Sequence, residues 1–393
     1  MKKTMTKETM LAHLGRKVAT ENRIINTPVF HASTITHKTL ESWENRNRDL
    51  YRDMAYGRYG TPTSFALQET MAELEGGDRA LLYPSGMAAI AASILAYVNA
   101  GDHILVCDVV YAPTRKYCDS VLVKAGVETT YFAPGIGAGI AELIRPNTKL
   151  VYVESPGTHT FEIQDIPAIA EAAHKAGCVV LHDNTWATPL YFDSFNKGVD
   201  VSIHAATKYV VGHSDAMLGI VVTKNEHFAP LSAVTSAMGY CVAPDDAYLG
   251  LRGLRTMSVR LKQHHKNGLA VAEWLEKRPE VSRVLHPALP GNPHHALWKR
   301  DFTGASGLFG VVLKEAPKPA LAAMIEGLDL FSIGASWGGY ESLITTCYPP
   351  RSVEAWNPEG PLLRLHIGLE DPADIIADLE AGFDRLNKLK AAA

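Results

Sequence analysis

Apolar and polar positions change their period several times along the chain, and the changes mark out its elements. "SFALQETMAELEGG", beginning at Ser64, repeats apolar residues at helical spacing and ends at Gly76-Gly77, a good helix stop. The runs "RALLY", "HILVCDVVY", "VETTYF", "KLVYVESP", "CVVLHDN", "VDVSIHAA" and "GIVVTK" follow in order, short, apolar and mostly β-branched. Helical patterns lie among them, from Met87, from Thr114 and over "IPAIAEAAHKAG". Strands of this kind separated by helices predict an α/β fold, with a mostly parallel central sheet covered by helices on both faces.

The rhythm differs at both ends. Residues 1–60 are rich in turn formers, as in "NTPVFHASTITH" and "YGRYGTPTS", and predict irregular structure. After Ala243, "DDAYLGLRGLRTMSVRLKQHHKNGLAVAEWLEKRPE" predicts one long helix, with Gly253 and Gly268 as candidate breaks. Strand-like "VSRVLH", "GLFGVVLK" and "LLRLHIGLE" then mix with further helices, the pattern of a smaller α+β domain. We expect an N-terminal segment over 1–60, a large α/β domain over 61–245 and the small domain over 246–393.

Composition narrows the class. A chain of 393 residues is too long for one small core. Its 47% hydrophobic and 20% charged residues exclude a disordered chain and suit a globular enzyme. A net charge of −4 without blocks of like charge gives no footprint for nucleic acid or an anionic membrane. The five cysteines are odd in number and lack C-x-x-C spacing, so neither a disulfide framework nor a zinc ribbon follows. Cys107 and Cys178 fall in strand-like runs and are expected to be buried, inert thiols. No apolar h-region opens the sequence, and the apolar stretch from Ala80 to Val98 is interrupted at Pro84, Ser85 and Gly86. The expected location is therefore the cytoplasm.

Several residues sit where the pattern gives no packing reason for them. In "HAATKYVVGHSD", Lys208 follows a buried-looking strand, where a flexible amine either escapes to water or does chemistry. Asp183 ends "CVVLHD", at the carboxyl edge of the sheet where ligands of open α/β folds gather, although a turn aspartate looks the same. Ser85-Gly86 leads from a strand into an alanine-rich helix whose N–H groups suit a phosphate; a plain tight turn has the same sequence. Tyr111 leaves a strand on the same presumed face, placed either to stack on a planar cofactor or to close the core. Tyr56 and Arg58 in "YGRYG" offer a guanidinium for phosphate oxygens or for solvent. Arg364 stands in an apolar strand, where an unpaired charge is costly and a bound carboxylate would resolve the cost. Amine, carboxylate, phosphate site and aromatic together fit pyridoxal phosphate.

These stretches resemble a known family. "VDVSIHAATKYVVGHSD" is similar to the lysine signature of the Cys/Met-metabolism, or trans-sulfuration, pyridoxal-phosphate enzymes of fold type I. The likeness extends through "YGRYGTPT", "LLYPSGMAAI", "VVYAPT", "HDNTWATP", "SWGGYESL" and "RLHIGLED", nearly the whole chain. It implies that Lys208 attaches the cofactor and moves protons, assisted by Tyr111. Asp183 would pair with the ring nitrogen and Tyr111 stack on the ring. Gly86, Met87 and Thr207 would hold the phosphate, and Arg364, Ser336 and Trp337 the substrate carboxylate. Tyr56 and Arg58 would reach the site of a neighbouring subunit, Tyr56 also touching its substrate, in a homotetramer built from dimers with an N-terminal arm. Ala205 departs from the pattern, standing where many relatives have a serine on the phosphate. "SWGGYESL" with "ESPGTHTFE" is most similar to bacterial members that break a Cβ–S bond, as in cystathionine, cystine or other cysteine S-conjugates. The γ-acting relatives, γ-synthase, γ-lyase and methionine γ-lyase, are the nearest alternative. A regulatory or scaffolding protein with a vestigial site is the alternative from another class.

Histidines such as the pairs His264-His265 and His294-His295 have no metal-ligand spacing, and structural roles are expected for them. Trp186 and Trp356 are read as core or interface aromatics. No G-x-S-x-G elbow supports a hydrolase triad.

Overall fold

Seven of the apolar runs pair into one sheet in the computed structural model, which describes residues 5–391. The outermost residues of the expected N-terminal segment and small domain, 1–4 and 392–393, lie outside the described residues. The strands are β1 (Arg79–Tyr83), β2 (His103–Cys107), β3 (Glu128–Phe132), β4 (Thr148–Glu154), β5 (Val179–Asp183), β6 (Val201–His204) and β7 (Gly219–Thr223), in spatial order β1-β7-β6-β5-β4-β2-β3. From β6 across to β3 every pair is parallel, and β7 alone runs against its two neighbours. Strands β2, β6 and β7 are buried at every position and β4 at all but Lys149, which explains why apolar residues run on in them in place of alternation. The fold is the expected mostly parallel α/β sheet.

Parallel pairing sends the carboxyl ends of β2, β4, β5 and β6 to one edge. Strand β1 arrives at the same edge, because two antiparallel steps through β7 restore its direction. The chain carries candidate residues where it leaves β1, β2, β5 and β6 at this edge.

The second sheet contains β8 (Val281–Leu285), β9 (Leu308–Leu313), β10 (Ser332–Ile333), β11 (Leu343–Cys347) and β12 (Leu362–His366), in order β10-β11-β12-β9-β8. The expected strands are β8, β9 and β12; β10 and β11 lie where no strand was expected. Only two residues form β10, and both are exposed, so it has no apolar run to recognise.

The helix Pro244–Leu275 runs unbroken through Gly253 and Gly268. These glycines mark close approach instead of a break. A Cβ at Gly253 would strike the carbonyl oxygens of Val210 and Val211, and one at Gly268 would lie 3.1 Å from the Gly307 Cα. The long helix thereby lies against the segment that follows Lys208. The expected irregular segment contains short helices at Lys7–His13, Lys17–Glu21 and Leu40–Glu44. The first is held on the long helix by buried Leu11, whose carbonyl accepts from Arg255 Nη1 at 2.6 Å. Cys107 and Cys178 are buried, as expected, and all five thiols are free.

Candidate active site

At the carboxyl edge of the large sheet lies a cavity of about 310 Å³. Asp183, Lys208, Tyr111, Gly86, Met87, Thr207, Trp337 and Arg364 all line it, so residues from positions 86 to 364 converge on one space.

Asp183 is the last residue of β5 and is buried. Its Oδ1 accepts from the Thr185 N–H at 3.0 Å and from the Thr185 hydroxyl at 2.5 Å, while Oδ2 takes no bond among the described residues. Thr185 Oγ1 also accepts from the Ala205 N–H at 2.8 Å, which ties the end of β5 to the segment carrying Lys208. Glu154, the last residue of β4, pairs in register with Asp183. Burial and the nearby Asp183 push the Glu154 carboxyl up to about 8. Burial also raises Asp183, and the Thr185 bonds oppose the rise. Two buried carboxylates side by side share one proton, and Asp183, whose charged form the nearby His204 favours along with the Thr185 bonds, keeps the charge.

Lys208 Nζ donates to Ser336 Oγ at 2.7 Å and lies 5.4 Å from the Trp337 ring centre. Gly338 brings this loop over the lysine; with φ +87° it takes a left-handed backbone, and a Cβ there would sit 2.9 Å from the Lys208 Cα. Burial, reinforced by the charge of Arg364 and opposed by Asp183, lowers the amine to about 8. About a tenth is therefore unprotonated at pH 7, far more than for a free lysine, and that form is the nucleophile and base.

Arg364 stands on β12 between Thr345 and Gly310. Its Nη2 donates to the carbonyls of Gly334 at 2.9 Å and Ser336 at 3.1 Å. Tyr111 precedes the helix Ala112–Tyr117, and its backbone N–H donates to Glu154 Oε2 at 2.7 Å. Burial, then Glu154 and Asp183, raise its phenol, which stays protonated.

The helix Gly86–Leu95 begins at the cavity with Ser85 as its cap, the side chain accepting from the Ala88 N–H at 3.1 Å. The N–H groups of Gly86 and Met87 are left for an anion. A Cβ at Gly86 would lie 2.5 Å from that of Ala205, so only glycine lets the helix start come this close. Thr207 Oγ1 donates to the Leu218 carbonyl at 3.2 Å and accepts from the Leu218 N–H at 2.8 Å, so its hydroxyl must turn to reach a phosphate.

Tyr56 and Arg58 are not brought here. They line a separate cavity of about 330 Å³, where Arg58 donates to the Ser236 carbonyl at 2.9 Å and to Tyr59 Oη at 2.8 Å. Four residues of the site escaped the sequence reading. Thr185 stands two places after Asp183, a spacing that signals a local side-chain turn. Glu154 ends a strand as Asp183 does and carried the same signal. His159 lies in a turn without regular pattern, and Trp186, read as core, is both buried and part of the cavity wall. Among the described residues no group of three or more His, Cys, Asp or Glu side chains is placed to hold a metal ion.

The residues fit a planar phosphorylated aldehyde. There is an amine to attach it and an acid with a free oxygen to receive a ring nitrogen. An aromatic would stand beside the ring, and a helix start would meet the phosphate. Such a space at the sheet edge, with an arginine set for a carboxylate, defines the class of pyridoxal-phosphate enzymes that act on amino acids.

Comparison with known proteins makes the class specific. Residues 8–384 match the family described as Cys/Met metabolism PLP-dependent enzyme, and the chain belongs to that family. It is 46% identical over 389 residues to cystathionine beta-lyase MetC of Escherichia coli (strain K12), covering 96% of this chain and 98% of that one. It is 40% identical to the L-alanine/L-glutamate racemase of Wolbachia pipientis wMel, covering 97% of this chain and 98% of that one. The crystal structure of metB from Corynebacterium glutamicum superposes with a TM-score of 0.89 at 32% identity, covering 98% of this chain and 99% of that one. The fold is therefore that of fold type I, and the cofactor is pyridoxal phosphate.

Proposed function

We propose that this enzyme is a carbon–sulfur β-lyase that cleaves L-cystathionine to homocysteine, pyruvate and ammonia, a step of methionine biosynthesis. Cystine and other cysteine S-conjugates share the scissile Cβ–S bond and are further candidate substrates. The observation that carries the reading is the meeting of a depressed lysine amine and a carboxylate-ready arginine in one cavity of a chain so similar to named β-lyases.

When bound, pyridoxal phosphate supplies an electron sink for the charge left at Cα. Gly86, Met87 and Thr207 would hold its phosphate, Asp183 would keep its ring nitrogen protonated, Tyr111 would cover its face and Lys208 would anchor it. Arg364, with Ser336 and Trp337, binds the substrate α-carboxylate and fixes the direction of the Cα–H bond. Lys208 Nζ, unprotonated when free, takes the Cα proton. The departing sulfur receives a proton from Lys208 Nζ or from the Tyr111 phenol, which burial keeps protonated. The three-carbon fragment then takes up water and ends as pyruvate and ammonia.

Assembly and the division into domains follow the family resemblance. Tyr56 and Arg58 complete the site of a neighbouring copy, consistent with their absence from the cavity of their own chain. The N-terminal segment 1–60 is the arm that carries them, 61–245 binds the cofactor, and 246–393 is the small domain. The assembly is a cytoplasmic homotetramer. Among the described residues no helix is long and apolar enough to cross a membrane.

The similarity to a racemase supports a second reading, because racemisation shares the removal of the Cα proton and differs in the face to which it returns. Products decide. Pyruvate and homocysteine from L-cystathionine support β cleavage. Cysteine and 2-oxobutyrate would replace it with γ cleavage, D-alanine from L-alanine alone with racemisation, and cofactor binding without turnover with a vestigial site.

A further inference from the structure

One turn of the cavity wall holds two residues with left-handed backbones. Gly157, Thr158, His159 and Phe161 line the cavity, and His159 (φ +67°) and Phe161 (φ +55°) both have left-handed backbones, unfavourable for residues with a Cβ. The turn is pinned at both ends: the Gly157 N–H donates to the Glu162 carbonyl at 2.9 Å, and the Thr158 N–H to the Val109 carbonyl at 2.8 Å. Phe161 is buried as an anchor, whereas His159 is only partly covered.

The position of His159 follows from Gly310. A Cβ at Gly310 would lie 2.9 Å from the His159 carbonyl oxygen, so the turn occupies the space above that glycine. Gly310 is the register partner of Arg364 across the antiparallel β9–β12 pair. Directly opposed residues of such a pair point to the same face. The His159 turn therefore rests on the face from which the Arg364 side chain rises.

Arg364 needs a second donor there. Both protons of its Nη2 go to the Gly334 and Ser336 carbonyls, and its Nε is buried without a partner. Neither two-pronged edge of the guanidinium is free, and a carboxylate meets Nη1. His159 Nδ1 is also buried without a partner, which leaves Nε2 as the nitrogen available to the cavity. Burial and the nearby Arg364 hold the imidazole at about 4, so at neutral pH it carries one N–H and no charge to repel the guanidinium.

We infer that His159 donates its Nε2–H to the α-carboxylate of the substrate, as the second arm of a clamp whose first arm is Arg364 Nη1. The inference deepens the reading of the cavity as an amino-acid site, but it does not require that C–S cleavage be the reaction.

The test uses the holoenzyme and two non-cleavable probes, L-alanine and L-alanine methyl ester, each titrated against the visible band of the cofactor. His159→Gly accepts the same backbone and lacks the donor, whereas His159→Asn tolerates the left-handed backbone and keeps an N–H. His159→Gly should weaken L-alanine about tenfold or more and the ester about twofold or less, and His159→Asn should recover part of the loss. The ratio between the probes cancels any general effect on folding or cofactor loading. Equal weakening of both probes, or of neither, overturns the inference. Because the readout is binding, failure of the β-lyase assay leaves this result interpretable.

Discussion

Glu154 and Asp183 end adjacent parallel strands as register partners, two buried carboxylates at the mouth of one cavity. Only one can carry charge cheaply, and His204 together with the bonds from Thr185 assigns it to Asp183. Glu154 takes the Tyr111 backbone N–H and the Thr158 hydroxyl, so it places the residue expected to cover the cofactor. The two roles separate by substitution.

Glu154→Gln keeps an acceptor for the Tyr111 N–H and removes the titration. The folded pKa of about 8 lies above the ordinary carboxylate value of 4.5. The folded form therefore holds a proton the unfolded chain has lost, and this contribution to stability fades as pH rises between those two values. A plot of Tm against pH for the cofactor-free protein should slope downward across that window, and more gently in Glu154→Gln. Parallel curves for the two proteins would show that Glu154 titrates normally.

Lys208→Ala removes the anchoring amine and the base together. Rates should fall by at least about 10³-fold, the scale of losing a positioned base that is also the nucleophile. The fold should persist, since Lys208 makes one side-chain hydrogen bond, to Ser336. Borohydride should fix the cofactor to the parent enzyme and not to the variant. Retained turnover in Lys208→Ala would exclude the proposed mechanism.

Arg364→Lys keeps the charge and loses the planar fork. Lysine cannot bond the Gly334 and Ser336 carbonyls in the same geometry while also reaching a carboxylate. KM should rise about tenfold or more while the cofactor band of the resting enzyme stays in place. A rise in kcat/KM, or an unchanged KM, would show that the carboxylate binds elsewhere.

How much of this was legible in the sequence depends on where each residue sits relative to a pattern. Asp183 closes the buried strand β5, Lys208 follows the buried strand β6 by four residues, and Arg364 interrupts an apolar strand, all places where a charge has no packing reason to be. Glu154 ends a strand in the same way, but with one sequence nothing distinguishes an acid that binds from an acid that turns the chain. The His159 turn has no period at all. Its relation to Arg364 depends on Gly310, a residue more than a hundred positions away, which only the β9–β12 register reveals. Strand β10 is hidden for a related reason: a two-residue exposed strand is defined by its partner and not by its composition.

Glu75, at the end of the helix Pro62–Glu75, is buried against β6, where Oε2 pairs with His204 Nε2 at 2.9 Å and Oε1 accepts from Ser202 at 2.7 Å and Asn184 at 3.0 Å. Burial alone would raise this carboxyl; the charge of His204 and the bonds from His204, Ser202 and Ser194 outweigh it and hold the group at about 2. A folded pKa below the ordinary 4.5 gives stability that is complete above that value and lost as pH falls toward about 2. His204→Leu leaves the carboxylate buried without its partner, which costs about 3–5 kcal/mol when one member of a buried pair is removed. Asn184 follows Asp183 directly and His204 precedes Lys208 by four residues, so the same network braces both strand ends that face the cavity. Chemical denaturation should therefore show the loss in His204→Leu, and cofactor retention on dialysis should fall with it. Glu75→Leu combined with His204→Leu removes both charges and should recover much of the stability. A double variant no more stable than the single one would mean that the pair acts through its hydrogen bonds to Ser202 and Asn184 and not through its charge.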